Sequence, residues 1–328
     1  MKIEPNILTF ITTYQCTAAC KECCFECTPK LTAKLSESQI LQTLQTAKDT
    51  YPSIKLAVFT GGECFLLKNS LFKAISKATS LGFSTRCVTN AYWAKTKNNA
   101  NKIVDELKLA GLNELNISTG IEHQEWVDED CVINAAEALL DRGIVTVITV
   151  EKDSETTNIY HRIMNNPRII SLFNQYDNKI IIQQNSWMPF HEDYKSRGYI
   201  SSEVLKSGCD QVFNNITITP HGIVSACCGL TMEHIPEMKL GTINNLTSFS
   251  EKQEDDFLKR WIKIDGPYSI LEKMTDDHSK LNNVVHPCQA CAIIHKDMEV
   301  RENIKKRYKE HIIPIIFKEN IIQSIEYI

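Results

Sequence analysis

Along the first 190 residues, apolar positions repeatedly switch between the short repeat or continuous run of a strand and the longer repeat of a helix. IKLAVFT at 54–60 and IVTVITV at 144–150 are nearly continuous apolar runs, as in parallel strands buried on both faces. SESQILQTLQTAKD at 36–49 has helical spacing and begins with Ser36, a candidate N-cap. The pattern therefore predicts strands that alternate with helices.

The predicted strands and helices follow one another in strict order. The strands are at 7–13, 54–60, 83–90, 112–119, 144–150 and 179–184. The helices are at 36–49, 69–81, 95–110, 128–142 and near 156–175. Alternating strands and helices imply a parallel sheet with right-handed crossovers. Because a closed eight-unit barrel needs about 250 residues, the α/β class with a partial (β/α)6 barrel over 1–195 is the predicted fold.

The remainder of the chain, 196–328, has a different character. It contains the loop signals TPHG and GPYS, few long periodic segments, and a second group of cysteines. A mixed-charge helical tail is predicted at 299–311, and the apolar run IIPIIF at 312–317, broken by Pro314, is expected to pack on the domain. We therefore predict a second domain over 196–328.

Composition and charge limit the kinds of function that the chain is expected to have. The chain has 328 residues, a formal net charge of −4 and 43% hydrophobic residues, as in an ordinary globular protein. This charge does not favour nucleic acid as a partner. No apolar run is long enough for a membrane span, and the N-terminus lacks the features of a signal peptide. The protein is expected to be cytoplasmic.

Cysteine is unusually frequent for a chain without an export signal. There are 13 cysteines, five of them between positions 16 and 27 and another five between 209 and 291. A reducing compartment disfavours structural disulfides, so dense cysteine there indicates metal binding or catalysis.

The first group contains Cys16-x3-Cys20-x2-Cys23 directly after the first strand. Three thiolates at this spacing can bind three irons of a [4Fe–4S] cluster and leave the fourth iron free for a small molecule. A zinc site that takes Cys24 or Cys27 as its fourth ligand is the alternative. Otherwise these two are spare thiols or small core residues.

Together with Thr60-Gly61-Gly62-Glu63 at the end of the second strand, this motif resembles the radical S-adenosylmethionine superfamily. The resemblance implies that the open iron chelates S-adenosylmethionine, that reduction cleaves a C–S bond to give the 5′-deoxyadenosyl radical, and that Gly61, Gly62 and Glu63 meet the methionyl ammonium. Glycines allow close backbone approach to a ligand.

Two further strand ends resemble cofactor contacts in this superfamily. They are Asn90 and Ser118, although polar residues there also cap turns. One position departs from the pattern: many members have an aromatic residue just before the third cysteine, near adenine, where this chain has Glu22. Adenine packing is therefore expected to come from elsewhere.

The second group offers a closed set of ligands. Four ligands can be drawn from Cys209, one of the adjacent pair Cys227 and Cys228, Cys288 and Cys291. Such a set fits an auxiliary [4Fe–4S] cluster or zinc. The run ITITPHGIVSACCG resembles the β-hairpin of the auxiliary-cluster domain called SPASM, or its shortened twitch form, with His221-Gly222 as the turn.

Adjacent strand residues point to opposite faces, so if Cys227 faces the cluster, Cys228 faces elsewhere. Cys228 is then either a hydrogen-atom donor in the active site or an inert buried cysteine.

The chain also resembles the radical peptide epimerases that act on epipeptide precursors. The shared features are Cys-Cys-Phe at 23–25, Phe-Thr-Gly-Gly-Glu at 59–63, Thr-Asn-x-x-Trp at 89–93, Ser118 with His123, Cys-Cys at 227–228, and C-x2-C at 288–291.

This second resemblance implies a reaction and its partners. The radical removes a Cα hydrogen from an L-residue of a ribosomally made peptide, and the thiol of Cys228 returns hydrogen from the opposite face. Cys209, Cys227, Cys288 and Cys291 hold the auxiliary cluster, and an external protein such as flavodoxin or ferredoxin is the reductant. The alternatives are a radical enzyme that cross-links a peptide, one that acts on a small molecule, and a non-catalytic iron–sulfur or zinc protein.

Overall fold

The architecture is a nine-stranded, mostly parallel sheet flanked by helices. The computed structural model describes residues 3–152, 158–176, 178–188, 190–191, 202–282 and 284–326. The strands are β1 (Ile7–Ile11), β2 (Leu56–Thr60), β3 (Ser84–Thr89), β4 (Glu114–Thr119), β5 (Val145–Glu151), β6 (Ile180–Asn185), β7 (Asn215–Ile218), β8 (Ile223–Ser225) and β9 (Lys239–Thr242). Their order across the sheet is β6-β5-β4-β3-β2-β1-β7-β8-β9.

Strands β1 to β6 lie side by side in chain order, and each neighbouring pair is parallel. The α-helices of the described residues are α1 (Glu37–Thr50), α2 (Asn69–Ser80), α3 (Lys97–Ala110), α4 (Ile121–Gln124), α5 (Glu129–Asp141), α6 (Asn158–Met164), α7 (Pro167–Gln175), α8 (Ser202–Leu205), α9 (Phe257–Asp265), α10 (Pro267–Met274), α11 (Pro287–Lys296), α12 (Met298–Arg307) and α13 (Lys309–Glu326). The 3-10 turns are Cys64–Leu67, Tyr92–Ala94, Met232–His234, Pro236–Met238, Ile243–Ser248, Glu251–Gln253 and His278–Leu281. This α/β arrangement agrees with the predicted partial barrel.

One face of the sheet is buried more completely than the other. In β3 and β4 every second residue is buried, and the residues between them are half-buried or, at Ser84, exposed. The buried positions carry apolar or threonine side chains such as Cys87, Leu115 and Ile117, which belong to the core. Because side chains alternate across a strand, the half-buried positions line the inner face of the partial barrel.

Local sequence signals explain the helix ends. The predicted N-cap Ser36 is confirmed: its hydroxyl accepts a hydrogen bond from the Gln39 amide at 3.2 Å, and the Gln39 side chain accepts one from the Ser36 amide at 2.8 Å. The single helix predicted near 156–175 is wrong, because Pro167 begins a second helix, α7, after the N-cap Asn166. Proline lacks the amide that would continue a helix but fits its first turn. Positions 156–157 lie outside the described residues.

The second half of the chain continues the same sheet. Strand β7 pairs in parallel with β1, and β8 and β9 follow as antiparallel neighbours. The predicted hairpin turn is confirmed at Gly222, which has a φ of 72°. The predicted domain boundary after 195 lies outside the described residues.

The C-terminal tail is helical, as predicted. The helical part extends beyond the predicted 299–311, since α13 runs through Pro314 to Glu326. Ile315 is buried, but Ile313 and Phe317 are exposed, so the run at 312–317 packs on the domain only in part. Among the described residues, no helix combines the length and apolar character needed to cross a membrane.

Candidate active site

A cavity of about 290 Å³ lies at the carboxyl ends of the central strands. It brings together residues from loops that are far apart in the sequence. Of the predicted ligand, cofactor-binding and catalytic residues, those that line it are Cys16, Cys20, Cys23, Gly61, Gly62, Asn90, Ser118 and Cys228. The predicted three-cysteine loop and the proposed donor thiol therefore face the same space.

The two glycines hold the loop after β2 against the cysteine loop after β1. The Gly62 amide donates to the Thr13 carbonyl at 2.7 Å, and the Glu63 amide donates to the Gln15 carbonyl at 2.9 Å. A Cβ added at Gly62 would lie 2.3 Å from the Gln15 oxygen, and one at Gly61 would lie 2.5 Å from the Thr13 oxygen. Only glycine allows this approach, so these residues position the cysteine loop as well as line the cavity.

The side chain of Glu63 does not line the cavity. Its carboxylate is fully buried and accepts hydrogen bonds from the Thr89 hydroxyl at 2.9 Å, the Asn90 amide at 3.0 Å and the Phe65 amide at 3.1 Å. Burial raises the pKa of Glu63 to about 7 in spite of these bonds. In this arrangement the carboxylate joins the loop after β2 to the end of β3, while its predicted contact with a methionyl ammonium stays a prediction.

Asn90 and Ser118 follow or end neighbouring strands. The Asn90 side-chain amide donates to the Thr17 hydroxyl at 3.0 Å and lies 3.7 Å from the Cys16 sulfur. Its carbonyl oxygen accepts from the Tyr92 amide at 3.1 Å. Asn90 therefore stabilises both its own turn and the cysteine loop, whereas Ser118 is a half-buried hydroxyl at the cavity wall.

The donor set of the first loop fits an iron–sulfur cluster. Burial raises the pKa of Cys16 to about 12, and the Glu63 carboxylate and the Cys23 thiol add to the rise. Burial and the neighbouring thiols also raise the pKa of Cys20. A hydrogen bond with the Cys27 thiol, in contrast, lowers the pKa of Cys23 to about 6. The raised pKa values keep Cys16 and Cys20 protonated in the protein alone, and the positive charge of bound iron would convert them to the thiolates that ligate a cluster.

No group of His, Cys, Asp or Glu side chains is placed to hold a single metal ion in the part of the chain that the structure describes.

The second cysteine set comes from three separate segments. Cys209 precedes β7, Cys227 follows β8, and Cys288 and Cys291 lie on α11. A Cβ added at Gly229 would lie 3.1 Å from the Cys288 sulfur and 3.5 Å from the Cys227 sulfur, so this glycine makes room for both thiols.

Burial, followed by the neighbouring thiols, raises the pKa of Cys291, and burial raises that of Cys288 to about 11. The thiols that act on Cys291 are those of the other three members of the set. None of the four is among the described residues that line the cavity. The set therefore lies outside this cavity, and four neighbouring thiols fit a four-thiolate cluster.

Cys228 lies on the other side of its segment from Cys227 and faces the cavity. Burial raises the pKa of Cys228 to about 11, although hydrogen bonds with the Thr217 and Thr9 hydroxyls oppose the rise. These threonines are paired neighbours on β7 and β1. The thiol is therefore protonated near neutral pH, which is the state that a hydrogen-atom donor needs.

Several cavity residues were not predicted as site residues. Trp187, Met188 and Phe190 line the cavity after β6. The Trp187 ring packs edge-on against His123 at 5.0 Å between centroids. Glu22 is buried and accepts a hydrogen bond from the Phe190 amide. The segment after β6 has no repeating pattern, so only its aromatic residues could have suggested a binding role.

The likeness to known structures is in the fold. The native anSMEcpe with bound AdoMet and Cp18Cys peptide has a TM-score of 0.56 and 13% identity, over 97% of this chain and 99% of that chain. The histidine-tagged anSMEcpe with bound AdoMet has a TM-score of 0.56 and 14% identity, over 96% of each chain. The protein therefore shares the overall fold of anSMEcpe.

A weaker likeness involves Streptococcus suis SuiB bound to precursor peptide SuiA. Its TM-score is 0.46 and its identity 13%, over 79% of this chain and 66% of that chain, which is too low to support an argument. No protein-family model and no curated protein matches the sequence.

Proposed function

We propose that this protein is a radical S-adenosylmethionine enzyme that epimerises L-residues of a ribosomally made peptide to D-residues. The observation that carries the proposal is the shared cavity of Cys16, Cys20 and Cys23 with Cys228. A loop suited to an open cluster and a protonated thiol outside that loop are what such a reaction needs. The fold shared with anSMEcpe is compatible with this assignment.

The cofactor sites follow from the same cavity. Cys16, Cys20 and Cys23 would hold the [4Fe–4S] cluster, and Gly61, Gly62, Asn90 and Ser118 would contact S-adenosylmethionine. When bound, these two groups supply the carbon radical that removes a hydrogen atom from the substrate. Cys209, Cys227, Cys288 and Cys291 would hold the auxiliary cluster, and an external flavodoxin or ferredoxin would be the electron donor.

The role of Cys228 is to set the configuration of the product. A carbon radical at Cα is planar, so the face that receives hydrogen decides between L and D. The Thr9 and Thr217 hydroxyls hold the Cys228 side chain, and burial keeps its thiol protonated. Its S–H bond breaks as the new C–H bond forms, and the resulting sulfur radical is returned to the thiol by one electron from the protein reductant and one proton.

The experiment compares Cys228→Ala with a matched cysteine variant, Cys131→Ala, which removes a buried thiol from α5. The anaerobically reconstituted proteins are incubated in D2O with synthetic peptides encoded by short reading frames beside the gene. For wild-type protein and Cys131→Ala we expect one added mass unit per D-residue. Cys228→Ala should still cleave S-adenosylmethionine but release no D-residue.

Two outcomes would contradict the proposal. Unchanged epimerisation by Cys228→Ala would remove the donor role from this thiol. A peptide product that has lost two hydrogens, with no deuterium gained, would instead identify a cross-linking enzyme.

A further inference from the structure

Strand β6 is the last strand at one edge of the sheet among the described residues. Its sequence, IIIQQN, contains no charged residue and no proline. Ile181 is 51% exposed, and Gln183, Gln184 and Asn185 are also exposed. Natural proteins usually protect edge strands with charges, proline or bulges, because an unprotected edge pairs with other chains. An edge without these devices indicates a partner strand.

Among the residues that the structure describes, the main chain of β6 pairs with another strand, β5, on one side only. The Thr146 amide donates to the Lys179 carbonyl at 2.8 Å, and the Lys152 amide donates to the Asn185 carbonyl at 2.9 Å. The groups at 179 and 185 thus face β5, and main-chain direction alternates along a strand. The amides and carbonyls of Ile180, Ile182 and Gln184 therefore face away from β5, along the edge.

This edge leads directly into the cavity. Asn185 at the end of β6, and Trp187 and Met188 just after it, line the cavity. On the inner face, the Gln183 side chain donates to the Thr149 hydroxyl at 3.2 Å. A chain laid along β6 would reach the space that the cysteine loop and Cys228 share.

We propose that an extended segment of the peptide substrate adds to the sheet as a strand beside β6, an inference that rests on the proposed function. Main-chain hydrogen bonds to Ile180, Ile182 and Gln184 would hold the segment, with little dependence on its side chains. Every second side chain of the segment would point to the inner face of the sheet. One of these residues would be the target, placed at the cavity. A peptide suits this edge better than a charged ligand, because β6 has hydrogen-bonding groups but no charge.

The test compares Gln184→Pro with Gln184→Ala in the reconstituted protein with S-adenosylmethionine bound. Proline removes the outward amide without breaking the ladder to β5, and proline is tolerated at such edge positions. Alanine removes the same side chain but keeps the amide. The probe is a displayed library of random linear decapeptides, from which the most enriched peptide is synthesised and its Kd measured by fluorescence anisotropy.

We expect Gln184→Ala to bind this peptide like the wild type and Gln184→Pro to bind it about tenfold more weakly, as for the loss of one or two hydrogen bonds. Both variants should cleave S-adenosylmethionine equally, which controls for folding. If Gln184→Pro does not fold, the wild-type protein is tested with peptides N-methylated at single positions. N-methylation at every second position of the peptide should then weaken binding, and N-methylation at the positions between them should not.

Equal binding by the two Gln184 variants, or no alternation in the N-methyl series, would overturn the added strand. Concentration-dependent dimerisation that Gln184→Pro abolishes, without peptide binding, would overturn it too and assign the edge to a second copy of the chain. Failure of the wild-type protein to cleave S-adenosylmethionine would refute the proposed function, and that result is independent of the binding comparison.

Discussion

The two cysteine regions are built in different ways. In the first, Cys16, Cys20 and Cys23 come from a single loop after β1, and all three face a cavity. In the second, the cysteines come from three segments that lie far apart in the sequence, and none of the four is among the described cavity residues. The first region therefore borders a cavity, whereas the second lies outside it, with Cys227 and Cys291 buried and Cys209 and Cys288 half-buried.

This difference shows how one sheet supports both a cysteine set at a cavity and a cysteine set away from it. The open loop lies at the carboxyl end of a parallel strand, where loops from β2, β3 and β4 converge on it. The second set instead joins α11 to the segments on either side of the hairpin β7–β8. One set thus borders the cavity from a single loop, and the other brings separate parts of the chain together.

The largest effect is expected from the first region. Replacement of Cys16, Cys20 and Cys23 by Ala should reduce formation of 5′-deoxyadenosine to background, measured by mass spectrometry after strong reduction. Iron content should fall by about half, since one of two clusters is lost. The variant Cys131→Ala is the control for loss of a buried thiol. Cleavage of S-adenosylmethionine by the triple variant at the wild-type rate would contradict the different roles predicted for the two regions.

A smaller but different effect is expected from the second region. Cys291→Ala should keep cleavage of S-adenosylmethionine within about threefold, because Cys291 is not a cavity residue. It should lower the midpoint of thermal unfolding by about 5 °C or more, because binding of a cluster that joins separate segments contributes to folding free energy. The measurement is differential scanning fluorimetry of the anaerobic holoenzyme. A larger drop in the unfolding midpoint for the triple variant of the first loop than for Cys291→Ala would contradict this prediction.

Most of the fold could be predicted from the sequence, because the spacing of apolar residues and the residues that end helices and strands are local signals. The predicted strands differ from the observed ones mainly at their ends: β1 stops at Ile11, after which Thr12 still bonds to the last residue of β2, and Thr13 bonds to Gly62 in the loop after β2. The helix broken at Pro167 shows where one residue overrides a periodic pattern. Pairing of β7 with β1 depends on long-range packing, which no local pattern reports.

The site could be predicted where its residues are adjacent in the sequence. The spacing of Cys16, Cys20 and Cys23 is itself the signal for an open cluster. The contact between His123 and Trp187 joins segments more than sixty positions apart and has no such signal. The buried position of the Glu63 carboxylate likewise depends on hydrogen-bond donors from Thr89 and Asn90, at the end of another strand. Tertiary contacts decide these features.

The smallest predicted effect is on the pH dependence of the free energy of unfolding. The sign of this dependence should differ between the two regions. Burial raises the pKa of Glu63, beside the first loop, to about 7. The folded state then holds its proton more tightly than the unfolded state, whose carboxyl has a pKa of about 4.3. Its stabilising contribution is complete below about pH 4.3 and is lost as the pH rises through 7. Relative to Glu63→Gln, the wild type should therefore lose stability across this range.

His286, beside the second set, should show the opposite trend. Its ring nitrogen Nδ1 accepts a hydrogen bond from the Cys288 amide at 3.1 Å at the start of α11, and burial lowers its pKa to about 4. Since the unfolded pKa is about 6.5, its contribution is complete above that value and is lost as the pH falls toward 4. His286→Asn keeps an N-cap acceptor but removes the titration. Urea unfolding of both variants and the wild type from pH 5 to 8 should give difference curves of opposite slope, and curves of equal slope would show that the two regions do not differ in the charge of their supporting groups.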